Sequence, residues 1–210
     1  MKKTLLILML GLTGTWAQAT LQPILNYSQT FGGGTIADGN PVGRDFYGNF
    51  QNAANWDQVV SLTVGLNISG GYNGDLYAYL VAPNGTLVLL MSQPGGGAAS
   101  GAGMNITLTD ASAPNGSIQS VTSGAVLSGT YNAAGTLGNI GGPQVNPTGS
   151  LANGTWLLYF ADLAGGGGNE TLNNWTLNLA VVPEPVPLAL GLFAIMMLAL
   201  AGVKRFWIVN

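Results

Sequence analysis

Three aspartates, Asp75, Asp110 and Asp162, are the side chains of this sequence best suited to chemistry. Their carboxylate oxygens are ligands that Ca²⁺ accepts, and nearby glycines would free backbone carbonyls to complete its six to eight ligands. Each carboxylate could instead accept hydrogen bonds from the backbone N–H groups of its own turn. A pair of them could also act as acid and base, as in glycoside hydrolysis. A calcium site, turn capping and a cryptic hydrolase are therefore all open.

The composition removes most other kinds of catalysis. The chain has 210 residues with no His and no Cys, and only 5 basic and 8 acidic residues. Without His there is no Ser-His-Asp triad, no His-ligated zinc and no imidazole base. Without Cys there is no disulfide, thiolate nucleophile or iron–sulfur cluster. We therefore expect no catalytic residues and no required cofactor, with Ca²⁺ as the one candidate ion.

Most of the basic residues stand at the two ends of the chain, so the middle is acidic. Between residues 20 and 182, Arg44 is the only base against seven acids, which gives a net charge of −6. Such a surface repels phosphate backbones. We expect no nucleic-acid partner.

The first 19 residues have the pattern of a secretory signal peptide. Residues 2–3 (KK) precede an apolar run over residues 4–12, and Ala17 and Ala19 supply the small residues of a cleavage site. The apolar run is too short to span a bilayer. We expect cleavage after Ala19 and export of the rest of the chain.

The other end of the chain has the pattern of a membrane span. Residues 186–203 carry no charge, and as a helix these 18 residues would be about 27 Å long, close to the ~30 Å hydrocarbon core of a bilayer. The basic pair Lys204 and Arg205 follows at once, which favours a cytoplasmic end. We therefore expect an anchored precursor whose main domain, residues 20–182, lies outside the cytoplasm.

A short extended segment precedes this span. Pro183 and Pro185 flank Glu184, and the two prolines prevent any helix from continuing through it. Together with the span and the basic pair, this tail over residues 183–210 resembles the PEP-CTERM sorting signal of exported proteins in Gram-negative bacteria, many of which make exopolysaccharide. The resemblance implies recognition by an exosortase, a membrane-embedded cysteine transpeptidase, with release from the inner membrane to the cell surface or extracellular matrix. A plain C-terminal anchor is the alternative.

The middle of the chain alternates apolar and polar residues, as half-buried strands do. Strands are predicted over residues 59–68, 76–81, 87–91, 155–160 and 175–181, with weaker ones at 105–109 and 118–121. Asn84 and Gly85 supply the positive φ that a tight hairpin turn needs. The glycine runs 32–34, 95–97 and 165–168 are expected between strands, and the outward residues of 155–160 are expected to be covered. Short strands without crossover helices predict an all-β, antiparallel β-sandwich.

Two motifs about 80 residues apart carry a second resemblance. Residues 72–80 (YNGDLYAYL) with 82–86 (APNGT), and residues 154–162 (GTWLLYFAD) with 172–177 (LNNWTL), resemble the proprotein-convertase P domain. The resemblance implies a jelly-roll β-sandwich, which in convertases packs on and stabilises a subtilisin-like protease domain. It also implies calcium at Asp75, Asp110 and Asp162, which match acidic positions of the family, because some bacterial members hold that ion.

Aromatic side chains outside the expected core are candidates for binding sugars, since their rings combine an apolar face with a polar edge. Those nearest to loops or to an exposed face are Trp56, Tyr72, Tyr77, Tyr79 and Tyr131. We expect a non-catalytic surface or matrix component that binds exopolysaccharide or another surface protein. A calcium-dependent assembly partner of a protease and a carboxylate-based hydrolase are the alternatives.

Overall fold

The computed structural model describes residues 23–51, 53, 58–97, 99, 101–122, 124–140, 151–182 and 196. The predicted signal peptide, residues 1–19, lies outside the described residues. The tripeptide 183–185, the basic pair 204–205 and the predicted span 186–203, apart from Met196, also lie outside the described residues. Within the described part of the chain, no helix has the length and apolar character needed to cross a membrane.

The described chain is built of β-strands joined by turns and short 3₁₀ segments, which confirms the all-β class. In chain order its nine strands are β1 Leu25–Ile36, β2 Arg44–Phe50, β3 Gln58–Gly70, β4 Leu76–Val81, β5 Leu87–Ser92, β6 Met104–Thr109, β7 Leu127–Asn132, β8 Gly154–Asp162 and β9 Glu170–Val182.

The strands form two sheets. The five-stranded sheet has the order β1-β9-β3-β6-β7, and the four-stranded sheet has the order β2-β8-β4-β5. Neighbouring strands are antiparallel except β6 and β7, which pair in parallel. The sandwich is therefore not wholly antiparallel as predicted, because a long connection rather than a tight hairpin leads from β6 to β7 and lets the chain re-enter in the same direction.

Alternation along the strands builds the core between the sheets. Trp156 and Phe160 of β8 and Trp175 of β9 point inward, and all three are fully buried. The Trp156 indole Nε1 donates to the Ala152 carbonyl oxygen at 3.0 Å, so its polar atom is satisfied despite burial. Phe31 of β1 covers Trp175 with ring centroids 4.6 Å apart.

The strong sequence patterns form strands within a few residues of their predicted bounds, and the 84–85 turn forms as expected. Gly85 has a φ of +84°, and the Asn84 side chain accepts from Thr86 N at 3.0 Å. The prediction missed β1, β2 and β7. Glycines 32–34, expected between strands, instead lie inside β1.

The predicted strand at 118–121 is wrong, because Ile118–Ser120 is a 3₁₀ segment. The Ser117 hydroxyl accepts from Gln119 N at 3.2 Å, which caps the turn. The Gln119 side-chain amide then bonds both the N–H and the carbonyl of Ser92, at 3.0 and 2.6 Å, as a neighbouring strand would. Local capping wins over strand propensity here.

Candidate functional site

One end of the sandwich collects buried carboxyl groups. Asp162 is the last residue of β8 and lies opposite Leu76 at the start of β4. Glu170 is the first residue of β9 and lies opposite Gly70 at the end of β3. Asp162 and Glu170 are both completely inaccessible to solvent. The loop that joins β8 to β9 therefore folds two carboxyl groups into one site.

Each of these carboxyl groups is only half satisfied. Asp162 Oδ1 accepts from Ala164 N at 3.0 Å, and Glu170 Oε1 accepts from Tyr72 N at 3.0 Å. The other two oxygens, Asp162 Oδ2 and Glu170 Oε2, accept no hydrogen bond from the described residues. Asp162 is near enough to Glu170 for its charge to raise the Glu170 pKa, so the two carboxyl groups are neighbours. Because ionised carboxylates repel each other and can only accept hydrogen bonds, a proton or a cation between them would stabilise the pair.

The electrostatics favour such a proton. Burial, and then the charge of Asp162, raise the pKa of Glu170 to about 7. Burial, followed by Asp162 and Asp38, also raises the pKa of the nearby Asp75. Arg44 is the only base among the residues that the structure describes, and its guanidinium donates to the Thr35 carbonyl oxygen and lies over the Phe46 ring. Basic side chains are thus not what stabilises the carboxyl pair.

Gly71 makes room for this pair. Its φ is +59°, a left-handed conformation that side chains rarely adopt, and a Cβ there would overlap the Glu170 carboxyl group. Asn73, two residues on, is also fully buried; its Nδ2 donates to the Gly103 carbonyl oxygen at 2.9 Å, and its Oδ1 has no described partner.

A cavity of about 410 Å³ lies beside the pair and includes Asp75, Tyr72 and Gly166 in its lining. Asp38 closes one side, because its carboxylate accepts from Gly166 N at 3.1 and 3.2 Å. The glycine run 165–168 is therefore a loop held over the carboxyl groups by Asp38.

The third predicted ligand, Asp110, lies elsewhere. It follows β6, whose first residue, Met104, lies opposite Ile68, near the end of the sandwich that holds the carboxyl pair. Asp110 comes after the last residue of β6 and is therefore about 20 Å from that end. Its carboxylate accepts from Leu137 N at 2.8 Å and from Gly138 N. The structure therefore brings Asp75 and Asp162 to one site and places Asp110 as the cap of the 137–139 turn.

The residues at this site fit a hard cation only in part. Asp162 and Glu170 offer free, dehydrated oxygens, which suits Ca²⁺. Among the residues described, however, no group of three or more acidic side chains is arranged to hold a metal ion. Sequence reasoning missed Glu170, although its position two residues before the inward Leu172 indicated that it points into the core.

A second feature lies on the outer face of the four-stranded sheet. Four tyrosines, Tyr47, Tyr77, Tyr79 and Tyr159, point outward from three adjacent strands. Aliphatic side chains continue this surface from β8, β4 and β5, namely Leu157, Val81, Leu87 and Leu89. We call these eight side chains the tyrosine face. Leu157 and Tyr159 were expected to be covered, but both are half-exposed.

The tyrosine rings pack on one another. Tyr79 and Tyr159 are stacked at 4.5 Å with 11° between their planes, and Tyr77 meets both edge-on. The Tyr159 hydroxyl lies against the carbonyl oxygens of Pro41 and Val42 at 3.2 and 3.0 Å. Tyr47 is 64% exposed, and its hydroxyl donates to Asp45 at 3.1 Å. Within this layer, Tyr79 and Tyr159 each cover one face of the other's ring.

The five aromatic residues proposed for sugar stacking do not share one surface. Tyr131 is only 8% exposed and belongs to the core. Tyr72 lies against Gly167 at the carboxyl end of the sandwich, whereas Tyr77 and Tyr79 belong to the tyrosine face. Trp56 lies outside the described residues.

The family model of the proprotein convertase P-domain matches residues 59–179, from β3 to β9. The chain belongs to this family. P domains are non-catalytic companions of protease domains.

Two solved structures are similar to this P domain, and the first of them shares its fold. The serine protease of Aeromonas sobria in complex with a chaperone has a TM-score of 0.50 and 16% identity, over 77% of this chain and 28% of that one. The same protease alone has a TM-score of 0.47 and 17% identity, over the same shares of the two chains. The chain thus spans about a quarter of the length of that protease. No curated protein matches it in sequence.

Proposed function

We propose that this P domain is an exported, non-catalytic module that docks a second envelope protein through the tyrosine face. The family supports a companion role, since P domains accompany proteases. The tyrosine face is the observation that carries the proposal. Tyrosine is enriched in the centres of protein interfaces, where it supplies a large contact area for little loss of side-chain entropy.

The chemistry of the tyrosine face favours a protein over a sugar as its occupant. Sugars stack on ring faces, but Tyr79 and Tyr159 cover each other's faces. Leu87, 54% exposed, extends the apolar area beyond the rings. Asp45 beside Tyr47 is the charged group at the rim, where a partner would offer a base or a hydroxyl.

We also propose where the module acts. Its signal peptide directs export, and the tail from Pro183 to Arg205 is the substrate of an exosortase, which frees the protein from the inner membrane for the cell surface or the exopolysaccharide matrix. The support for this is the order of tripeptide, apolar segment and basic pair in the sequence.

Calcium is a second proposed feature, for which the free oxygens of Asp162 and Glu170 are the specific observation. Bound between Asp162 and Glu170, the ion would neutralise the carboxyl pair and fix the 165–168 loop. In that role Ca²⁺ would make assembly with a partner depend on calcium.

Site-specific photocrosslinking tests the docking. A photoreactive p-benzoylphenylalanine replaces Tyr47 in the full chain, in a bacterium with a working exosortase, and Ser112 on a remote exposed loop is the matched control. We expect one discrete protein adduct from position 47 and none from position 112. The adduct should disappear when Leu87→Asp is added. No adduct at position 47, or the same adduct at both positions, would contradict a docking role for the tyrosine face.

A further inference from the structure

The outer face of the five-stranded sheet, opposite to the tyrosine face, has an unusual regularity. One row of residues paired across all five strands is Thr30, Thr176, Gly65, Thr107 and Thr130. The neighbouring row is Gly32, Asn174, Asn67, Asn105 and Ser128. Strands lie about 4.8 Å apart, so each row is roughly 19 Å long.

Two shorter rows extend the array over β1, β9 and β3. They are Ser28, Asn178 and Thr63, and then Asn26, Ala180 and Ser61. Thirteen of the sixteen positions in the four rows are Asn, Thr or Ser, the others are Gly or Ala, and all are exposed or half-exposed. We call these sixteen positions the neutral face, because no charged residue occupies any of them.

Hydrogen bonds across the strands hold these side chains in place. The Thr30 and Thr176 hydroxyls are 2.8 Å apart, and Asn178 Nδ2 donates to Thr63 Oγ1 at 3.1 Å. Asn67 Oδ1 accepts from Asn173 Nδ2 at 2.7 Å. Each hydroxyl or amide keeps further donor or acceptor capacity for a ligand, and little side-chain entropy is lost when the ligand binds.

The neutral face also contains a shallow depression of about 260 Å³. Ala180 leaves the space, and Asn26, Ser28, Ser61, Thr63 and Asn178 are among the residues that line it. Its lining contains hydroxyl and amide groups beside apolar atoms, and it carries no charge.

We propose that the neutral face binds an uncharged, hydroxyl-rich polysaccharide, with one sugar ring in the depression and the chain lying across the strands. A ligand of alternating donors and acceptors matches short hydroxyl and amide side chains, whereas a charged polymer meets no counter-charge there. A protein interface would need large apolar or aromatic anchors, and the sixteen positions hold none. The proposal rests on the exopolysaccharide association proposed above, but not on the protein partner of the tyrosine face.

Affinity electrophoresis tests the proposal with the full chain in lauryldimethylamine oxide, whose headgroup is not a sugar. Native gels contain dextran, galactomannan or hydroxyethylcellulose as neutral polymers, or alginate as an anionic one. We expect at least one neutral polymer, but not alginate, to slow the protein. Ser61→Tyr, which fills the depression, and Ser28→Asp, which adds a charge, should each weaken the retardation at least tenfold. Their controls on the opposite sheet, Asn49→Tyr and Thr155→Asp, should not.

Three results would overturn the proposal. The first is the absence of retardation by any neutral polymer. The second is retardation that survives both neutral-face substitutions, since the sugar would then bind elsewhere. The third is a concentration-dependent dimer that Ser28→Asp dissociates, because the neutral face would then join two copies of this chain. The crosslinking from position 47 tests the tyrosine face, which is on the opposite sheet. The proposal of a protein partner and the proposal of a polysaccharide ligand can therefore fail independently.

Discussion

Glu170 and Asp162 are the residues whose surroundings depart most from those of a surface carboxylate. Both are buried, each has one oxygen bonded to a backbone N–H group, and the other oxygen of each has no hydrogen-bond partner among the described residues. A buried pair of this kind cannot carry two full negative charges without cost. Protonation or a cation therefore determines how much the pair destabilises the fold.

The stability of the protein should depend on pH through this pair. The pKa of Glu170 in the folded state, about 7, lies above the value of 4.5 for an unperturbed Glu, so near neutral pH the folded state keeps a proton that the unfolded state has lost. Its stabilising contribution is present below the unfolded pKa and is lost as pH rises through 7. We expect the free energy of unfolding to fall on the order of 2 kcal/mol between pH 5 and pH 8, since a tenfold change in an equilibrium is worth about 1.4 kcal/mol.

Urea unfolding of the full chain at pH 5, 6, 7 and 8 measures this dependence. Glu170→Gln cannot lose a proton and should flatten the profile, while Asp110→Asn at the remote turn should leave it unchanged. A wild-type profile that is flat between pH 5 and pH 8 would refute a shared proton.

Calcium should replace that proton where the pair is ionised. At pH 8, saturating Ca²⁺ should raise the thermal midpoint, by the equivalent of roughly 2.7 kcal/mol at a hundredfold excess over Kd. At pH 5, where Glu170 is protonated, it should have little effect. Asp162→Asn should abolish the response and Asp110→Asn should preserve it. An unmoved midpoint at pH 8 would leave hydrogen bonding in turns as the role of these carboxylates.

At the scale of single elements, β8 shows how one strand serves two surfaces. Its inward residues Trp156, Leu158 and Phe160 are fully buried between the sheets. Its outward residues Leu157 and Tyr159 are half-exposed within the tyrosine face. Since side chains alternate strictly, the same stretch of backbone builds the core and presents the proposed docking surface.

Two leucines adjacent in β8 provide a matched test of this arrangement. Leu158→Ala should lower the free energy of unfolding by about 2–5 kcal/mol, as other buried leucines do. Leu157→Ala should cost about 1 kcal/mol or less, and its main effect should be on the crosslinked adduct from position 47. Urea unfolding measures both. Equal losses would show that a further layer of the protein covers the outer face.

At the scale of the whole molecule, the sandwich separates three chemistries. Carboxyl groups lie at one end, tyrosines on the outer face of one sheet, and neutral hydrogen-bonding side chains on the outer face of the other. A protein partner and a polysaccharide could therefore be held at the same time on opposite sides. Such an arrangement suits a component that attaches an envelope protein to a matrix.

The tail should decide where the molecule is found. In a bacterium with a working exosortase, we expect the protein to lose residues 186–210 and to leave the inner membrane. Glu184→Ala removes the charge beside the apolar segment and should keep the full-length protein in that membrane, with an unchanged thermal midpoint. Cell fractionation with a tag at each end measures this, and Glu170→Gln serves as the control for a lost carboxylate. A wild-type protein that keeps its C-terminal tag in the inner membrane would show that the segment is only an anchor.

The sequence alone specified the local parts of this protein. Alternation predicted β3, β4, β5, β6, β8 and β9, because burial on one face imposes a period of two. Asn84 and Gly85 predicted a turn because few residue types accept its backbone angles. β1 could not be predicted in this way, because its central glycines have no side chains to form an alternating pattern and a run of glycines is typical of a loop. The family motifs, which cover predicted strands and the turns beside them, were also recognisable without any structure.

The tertiary structure decided everything that depends on which strands lie side by side. Thr30 and Thr176 are 146 residues apart in the chain, and only the register of β1 on β9 makes them neighbours. Asp162 and Glu170 belong to different sheets, and the packing of the two sheets turned two unremarkable acids into a buried pair. Asp110, in contrast, lies far from Asp75 and Asp162, because it follows the end of β6 that is remote from them. The pattern of apolar and polar residues in a sequence indicates which side chains are buried. A site, in contrast, depends on the register of the strands and the packing of the sheets, and long-range contacts determine both.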